Sequence, residues 1–299
     1  MGLGIFVQDI ETDEVDAEAI ANKIRIAVMS APPFYEYIAK QAIDKSELNV
    51  INNNIRLLAR FDFLFELYKK ENNKYLKSKG KIKRDKTSSI TNAIKFVNVE
   101  FTNKQQTIWL AISCIDAFFS WTEHLFIHLA IVGQYLSNGN KVTTLMLEDW
   151  QTKFKAGIPD TSKDLHSYFN ELIAIRQQVR NFIAHGAYGK DGAAFYFHSN
   201  TGAVPVKMDY KKGKKKFSLE LDLTFNYEDA IKLIQDFINT LENGSLELPM
   251  LYTQKYALPT VLSFASNGFY QTAMIDKNSF EACADYISKL FDDAGNMDW

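Results

Sequence analysis

The sequence predicts a mainly α-helical fold with one small antiparallel β meander following a motif-bearing helix. Three observations predict it. Apolar residues recur at helical spacing through most of the chain before Gly189. Proline is scarce, with 6 residues in 299, and phenylalanine is abundant, with 22, which suits long packed helices. After Gly189 the period shortens to that of strands, then returns to helix at Asn226.

The elements follow in order. "DAEAIANKIRIAVM" has helical spacing, and Pro32 and Pro33 in "SAPPFYEYIAKQAI" break it and open a second helix. "NVINNNIRLLARFDFLFELYKKENNKYLK" is a long amphipathic run. The basic stretch from Lys77 to Asn92 contains Gly80 and several Ser and Thr, and reads as an exposed loop. Asn103 to Asn140 is apolar almost all round, so it is expected to be the central buried helix, stopped by Asn138-Gly139-Asn140. A further helix runs from Thr161 or Ser162 as N-cap to Gly186 as C-terminal glycine. "AAFYFHSN", "AVPVKMDY" and "KFSLELDLTF", separated by "SNTG" and "KKGKKK", form the meander. "NYEDAIKLIQDFINTLEN" is a helix capped by Asn226, and "SFEACADYISKLF" is a final one. The organisation is read as an N-terminal helical region (1–95), a core with the β insertion (96–245) and a mixed C-terminal extension (246–299).

Composition narrows the function. The chain is 46% hydrophobic and 23% charged with net charge −2, so nothing global draws it to nucleic acid or anionic membrane, and such attraction must come from local patches. Two basic clusters qualify as phosphate contacts: the loop carrying Lys81, Lys83 and Arg84, and the hairpin turn with Lys212, Lys214 and Lys215. The same clusters can equally serve solubility and strand-edge protection. Cys114 and Cys283 sit in apolar segments and are expected to be buried free thiols, which suits a reducing, cytoplasmic setting. The N-terminus lacks a basic region and a long apolar run, Phe6 stands where a myristoylation signal wants Ser or Thr, and no segment is read as a membrane span. No nucleotide-loop, zinc-protease or nucleophile-elbow motif is present, and no cofactor or metal is expected. His124 and His128, four apart, make half a zinc site at most and read as hydrogen-bonded core or interface histidines.

"VRNFIAHGAYG" carries the chemistry. With Arg180 at zero, a projection of about 100° per residue puts Arg176 near −40°, Gln177 near 60°, Asn181 near 100° and His185 near 140°. Leu172, Ile175, Val179, Phe182 and Ile183 fall on the other side. The polar residues can therefore surround one patch of space. An arginine fork suits a phosphate, and a histidine can move a proton near neutral pH. Together they suit cleavage of RNA by attack of a ribose 2′-OH on its own phosphate, with charge on the phosphoryl oxygens held by arginine. One helix supplies one histidine, whereas the reaction gains from an acid and a base; a dimer would supply the second.

Arg180-Asn181-Phe182-Ile183-Ala184-His185 resembles the R-N-x-x-x-H form of the motif of HEPN domains (higher eukaryotes and prokaryotes nucleotide-binding). "ISCIDAFFSWTEHLF" likewise looks like a core helix of that family, and the resemblance spans roughly residues 96–245. It implies a HEPN-like helical bundle and a metal-independent endoribonuclease. Arg180, Asn181 and His185 would be catalytic, with Arg176 and Gln177 beside them, and Asp116, Glu123 and Glu171 are candidates for the acidic residues that often face the motif. It also implies a homodimer with both motif helices at the interface, and a toxin, abortive-infection or other antiviral defence role that could involve an antitoxin or defence partner protein. The alternative is a non-catalytic HEPN-like module that binds a nucleotide or protein.

Overall fold

The most apolar stretch of the chain forms one long helix, Ile90–Val132, and the rest of the molecule is arranged around it. The computed structural model describes residues 5–6, 9–79, 90–185, 195–199, 202–208, 215–217 and 226–295. In chain order these form α1 (Ile10–Ser30), α2 (Pro32–Lys45), β1 (Asn49–Val50), α3 (Asn54–Ser78), α4 (Ile90–Val132), α5 (Gly139–Leu147), α6 (Trp150–Gly157), α7 (Lys163–Ser167) and α8 (Phe169–His185). Then come β2 (Phe195–Ser199), β3 (Gly202–Met208), β4 (Lys215–Phe217), α9 (Tyr227–Asn243), α10 (Glu247–Met250) and a π-helical turn, Leu251–Lys255. β5 (Thr260–Val261), α11 (Leu262–Ser266), α12 (Phe269–Ala273) and α13 (Lys277–Gly295) complete it. The fold is mainly α, and β2-β3-β4 is the expected antiparallel meander.

α4 threads two hydrophobic cores. The first contains Phe61, Phe118, Trp121, Trp150, Phe154 and Phe237, so α3, α6, α8 and α9 all pack on the middle of α4. Trp150 is the hub: its ring meets Phe119, Phe126, Phe154 and Phe169, and its Nε1–H donates to Thr122 Oγ1 at 2.9 Å. Gly157 lets α6 approach α4, because a Cβ there would stand 2.6 Å from the Phe126 carbonyl oxygen. The second core gathers the C-terminal end of α4 with Val142, Tyr252, Tyr270, Phe280 and Ile287. Val97–Val132 is long and apolar enough to cross a membrane by length and composition, yet most of it is buried inside the fold. Cys114 and Cys283 are free and buried as expected, and burial pushes their thiols up to about 12 and about 11.

Several boundaries differ from expectation. The central helix begins earlier and stops at Val132, where the amides of Gly133 and Gln134 turn back onto the Leu129 carbonyl and Tyr135 adopts φ 57°. Asn138 is not a terminator. Its side chain accepts from Lys141 N–H and caps α5, the role for which a short amide is best suited. Gly139 is needed there for a different reason, since a Cβ would fall 2.3 Å from the Ile43 carbonyl where α2 crosses. The helix expected from Thr161 to Gly186 is two, α7 and α8, and Ser162 makes no side-chain cap; its Oγ bonds Ser245 Oγ at 2.6 Å. α3 starts at Asn54, not near Asn49, because the preceding residues are tied elsewhere. β1 pairs antiparallel with β5, and Asn52 Nδ2 donates to the carbonyls of Thr253 (2.9 Å) and Leu258 (3.2 Å). Gly186 and the strand residues beyond Phe217 lie outside the described residues.

Candidate active-site cavity

The motif helix α8 turns Leu172, Ile175 and Val179 into the first core, as the projection predicts. The flank between that stripe and Arg180, with Val179 and Ile183 on it, borders a cavity of about 1200 Å³. Arg176 and Arg180 both line it, and so do Asp116 and Glu123 of α4. Ile183 departs from the projection: it is 58% exposed and lies on the cavity wall, because α4 covers only part of the apolar arc. Gln177 lines a second recess of about 150 Å³ with Asp149, Gln151 and Ile173, and Arg176 and Arg180 border both spaces. Asn181 and His185 occupy the last turns of α8, and their side chains lie outside the described residues.

The acidic candidates separate into three cases. Glu123 bridges two cations, accepting from Lys153 Nζ at 2.9 Å and from Arg176 Nη2 at 3.2 Å. Asp116 faces the same space but is engaged by Arg60 at 3.6 Å, both side chains being half exposed. Glu171 is exposed in the first turn of α8 and does not line the cavity, since its nine-residue offset from Arg180 is roughly 13 Å of helix. Of the basic clusters, Lys81, Lys83, Arg84, Lys212 and Lys214 lie outside the described residues, and Lys215 pairs with Met208 where β4 opens.

Two further residues line the cavity, one that the sequence did not single out and one that it marked only as a hydrogen-bonded histidine. Lys153 has a side chain only 5% exposed. Its signal is positional: Trp150, Lys153, Phe154 and Gly157 are the buried residues of α6, so the lysine stands on the apolar stripe with its charge matched from α4. His124 is the second. Its Nε2 accepts from the Asn53 backbone N–H at 3.1 Å and lies 3.0 Å from His128 Nε2. An amide can only donate, so the His124 proton is on Nδ1, His128 donates through Nε2, and His128 Nδ1 accepts from the Thr260 hydroxyl at 2.7 Å. The histidine pair is thus a hydrogen-bonded chain linking α4 to β5 and to the start of α3, and among the described residues no group of three or more His, Cys, Asp or Glu could hold a metal ion.

Burial lowers His124, with Lys153 adding to the effect, and lowers His128 to about 3, with His124 adding. The sign follows from linkage. The unfolded chain protonates these rings near the ordinary value of 6.5 while the folded chain keeps them neutral, so stability is full above that pH and is lost progressively toward 3. The urea midpoint is expected to fall between about pH 7.5 and about pH 5, and to fall less in His128→Gln. An equal drop in both proteins would assign the acid sensitivity elsewhere.

No protein-family model, curated protein or solved structure matches this chain. The functional reading therefore stands on the motif and on the cavity that it borders.

Proposed function

We propose that the chain is a HEPN-type, metal-independent endoribonuclease acting in the cytoplasm, in a bacterial toxin or anti-phage defence setting. The observation that carries this reading is the placement of Arg180 and Arg176 on one open cavity, facing Glu123 of the long core helix. Arg180 has no ion-pair partner among the described residues, so its fork is available to a phosphate. Arg176 is held by Glu123 and adds a fixed positive charge one turn away.

In the proposed reaction the ribose 2′-oxygen attacks the adjacent phosphorus and the 5′-oxygen of the next nucleotide leaves. His185 takes the 2′ proton or returns one to the leaving oxygen, Arg180 stabilises the phosphoryl oxygens, and Asn181 orients His185 or the ribose. A second copy, with its motif helix against the first, would provide the complementary acid or base. The lysine clusters would guide the RNA strand. Cleavage should leave a 2′,3′-cyclic phosphate and a 5′-hydroxyl, persist in excess EDTA, and fail on an oligonucleotide with a single 2′-deoxy at the cut site. Cleavage of the deoxy substrate, or none of total RNA, refutes the mechanism. The mostly aliphatic wall of the cavity favours a second reading, in which the same face is a non-catalytic nucleotide- or protein-binding module.

A further inference from the structure

We propose that the cavity beside α8 binds a single-chain amphipathic anion, an aliphatic chain ending in a carboxylate or phosphate. The head would sit on Arg180 and Arg176, and the chain would lie between α2, β1, α4 and α5. This inference rests on the cavity alone and not on the ribonuclease reading.

Size is the first argument. The cavity measures about 1200 Å³, above the roughly 300–1,000 Å³ of ordinary small-molecule sites. Wall chemistry is the second. Away from the arginines the lining is mostly aliphatic, with Ile43 of α2, Val50 of β1 and the adjoining Ile51, Ile127 of α4, and Val142 and Met146 of α5. Asn49, Asn53 and Thr143 stand among them. Such a wall lowers the free energy of a flexible methylene chain by about 0.8 kcal/mol per buried CH₂. A nucleobase would find little to stack on, since Phe119 and His124 carry the only rings among the lining residues.

Charge is the third argument, and it sets the polarity of the ligand. Lys153, Arg176 and Arg180 line the space with Glu123 as the acid that answers two of them, while Asp116 is held by Arg60. The cationic side is therefore in excess around Arg180. The neutral His124 carries its proton on Nδ1, because its Nε2 lone pair accepts from Asn53. Donors at one side and aliphatic surface at the other define a ligand with an anionic head and an apolar tail. Because Arg180 is shared, an occupied cavity would keep an RNA phosphate off it.

The test is displacement of dansyl-undecanoate from the full chain, below micelle concentrations, by dodecanoate, dodecyl phosphate, dodecanol or AMP. Dodecanoate and dodecyl phosphate should compete, the stronger of the two identifying the head group, and dodecanol should be at least about tenfold weaker. Arg180→Ala should erase most of that difference. Ile51→Trp and Met146→Trp fill the space from exposed positions, so they should keep the melting temperature and weaken every aliphatic competitor. Aliphatic binding indifferent to both tryptophans would place the chain elsewhere and overturn the proposal. So would AMP competing better than dodecanoate. RNA cleavage is scored separately: loss of cleavage with intact displacement would sink only the ribonuclease reading, and the converse only this one.

Discussion

Alanine at His185 is expected to lower the rate of RNA cleavage by roughly 10²–10⁴-fold, the usual contribution of a positioned acid or base. Arg180→Ala should cost about 10²–10³-fold by removing one electrostatic donor to the phosphoryl oxygens. The double variant should be little worse than the poorer single, because both groups serve one transition state. Arg180 is exposed, so its loss should leave the melting temperature unchanged. Initial rates on a fluorescent oligoribonucleotide give the comparison. Wild-type rates in both single variants would remove α8 from the chemistry.

Glu123→Ala should destabilise the fold measurably. It strands Lys153, whose side chain is 5% exposed, without its carboxylate. Breaking a buried pair in this way costs about 3–5 kcal/mol, and since Glu123 itself is 34% exposed, water should reduce the cost to about 2–3 kcal/mol. For a chain of 299 residues that is a fall of roughly 3–5 °C in melting temperature. Glu123→Ala combined with Lys153→Met should recover most of the loss, because the second change removes the stranded charge and leaves an apolar side chain among Trp150 and Phe154. A double variant less stable than Glu123→Ala would mean that Lys153 contributes through something other than this pair. The same single variant releases Arg176, so its RNA cleavage, if any, should change independently of stability.

The long helices, the meander and the buried stripe of α8 were legible because each is written in local periodicity, whereas the short α5, α6, α7, α10, α11 and α12 were not. Leu172, Ile175 and Val179 are buried where a 3.6-residue repeat puts them. Asp116 and Glu123 share the cavity with the arginines because they lie seven residues apart on one helix, two turns of the same face. The cavity itself was not legible. Its far wall comes from Ile43, Val50 and Ile51, which meet α8 only through the tertiary crossing of α2 and the β1–β5 pair. A two-residue strand has no period to detect, and a buried lysine looks like any surface lysine until its helix is projected. Asn138 misled for a related reason, since an Asn-Gly-Asn sequence signals a helix boundary without saying whether it closes one helix or opens the next.

The clasp between residues 49–52 and residues 253–261 also fixes an order of events. Asn52 bonds carbonyls 201 and 206 residues downstream, and β1 waits for β5. At about 5–20 residues per second, a ribosome reaches that partner tens of seconds after β1 has emerged. Through that interval α3, α4 and α6 can already pack their aromatic side chains, while Val50, Ile51 and the His124–His128 chain lack the strand that holds them. The cavity wall thus waits on a segment made long after α8, and the nascent chain carries the motif helix before it carries a finished site.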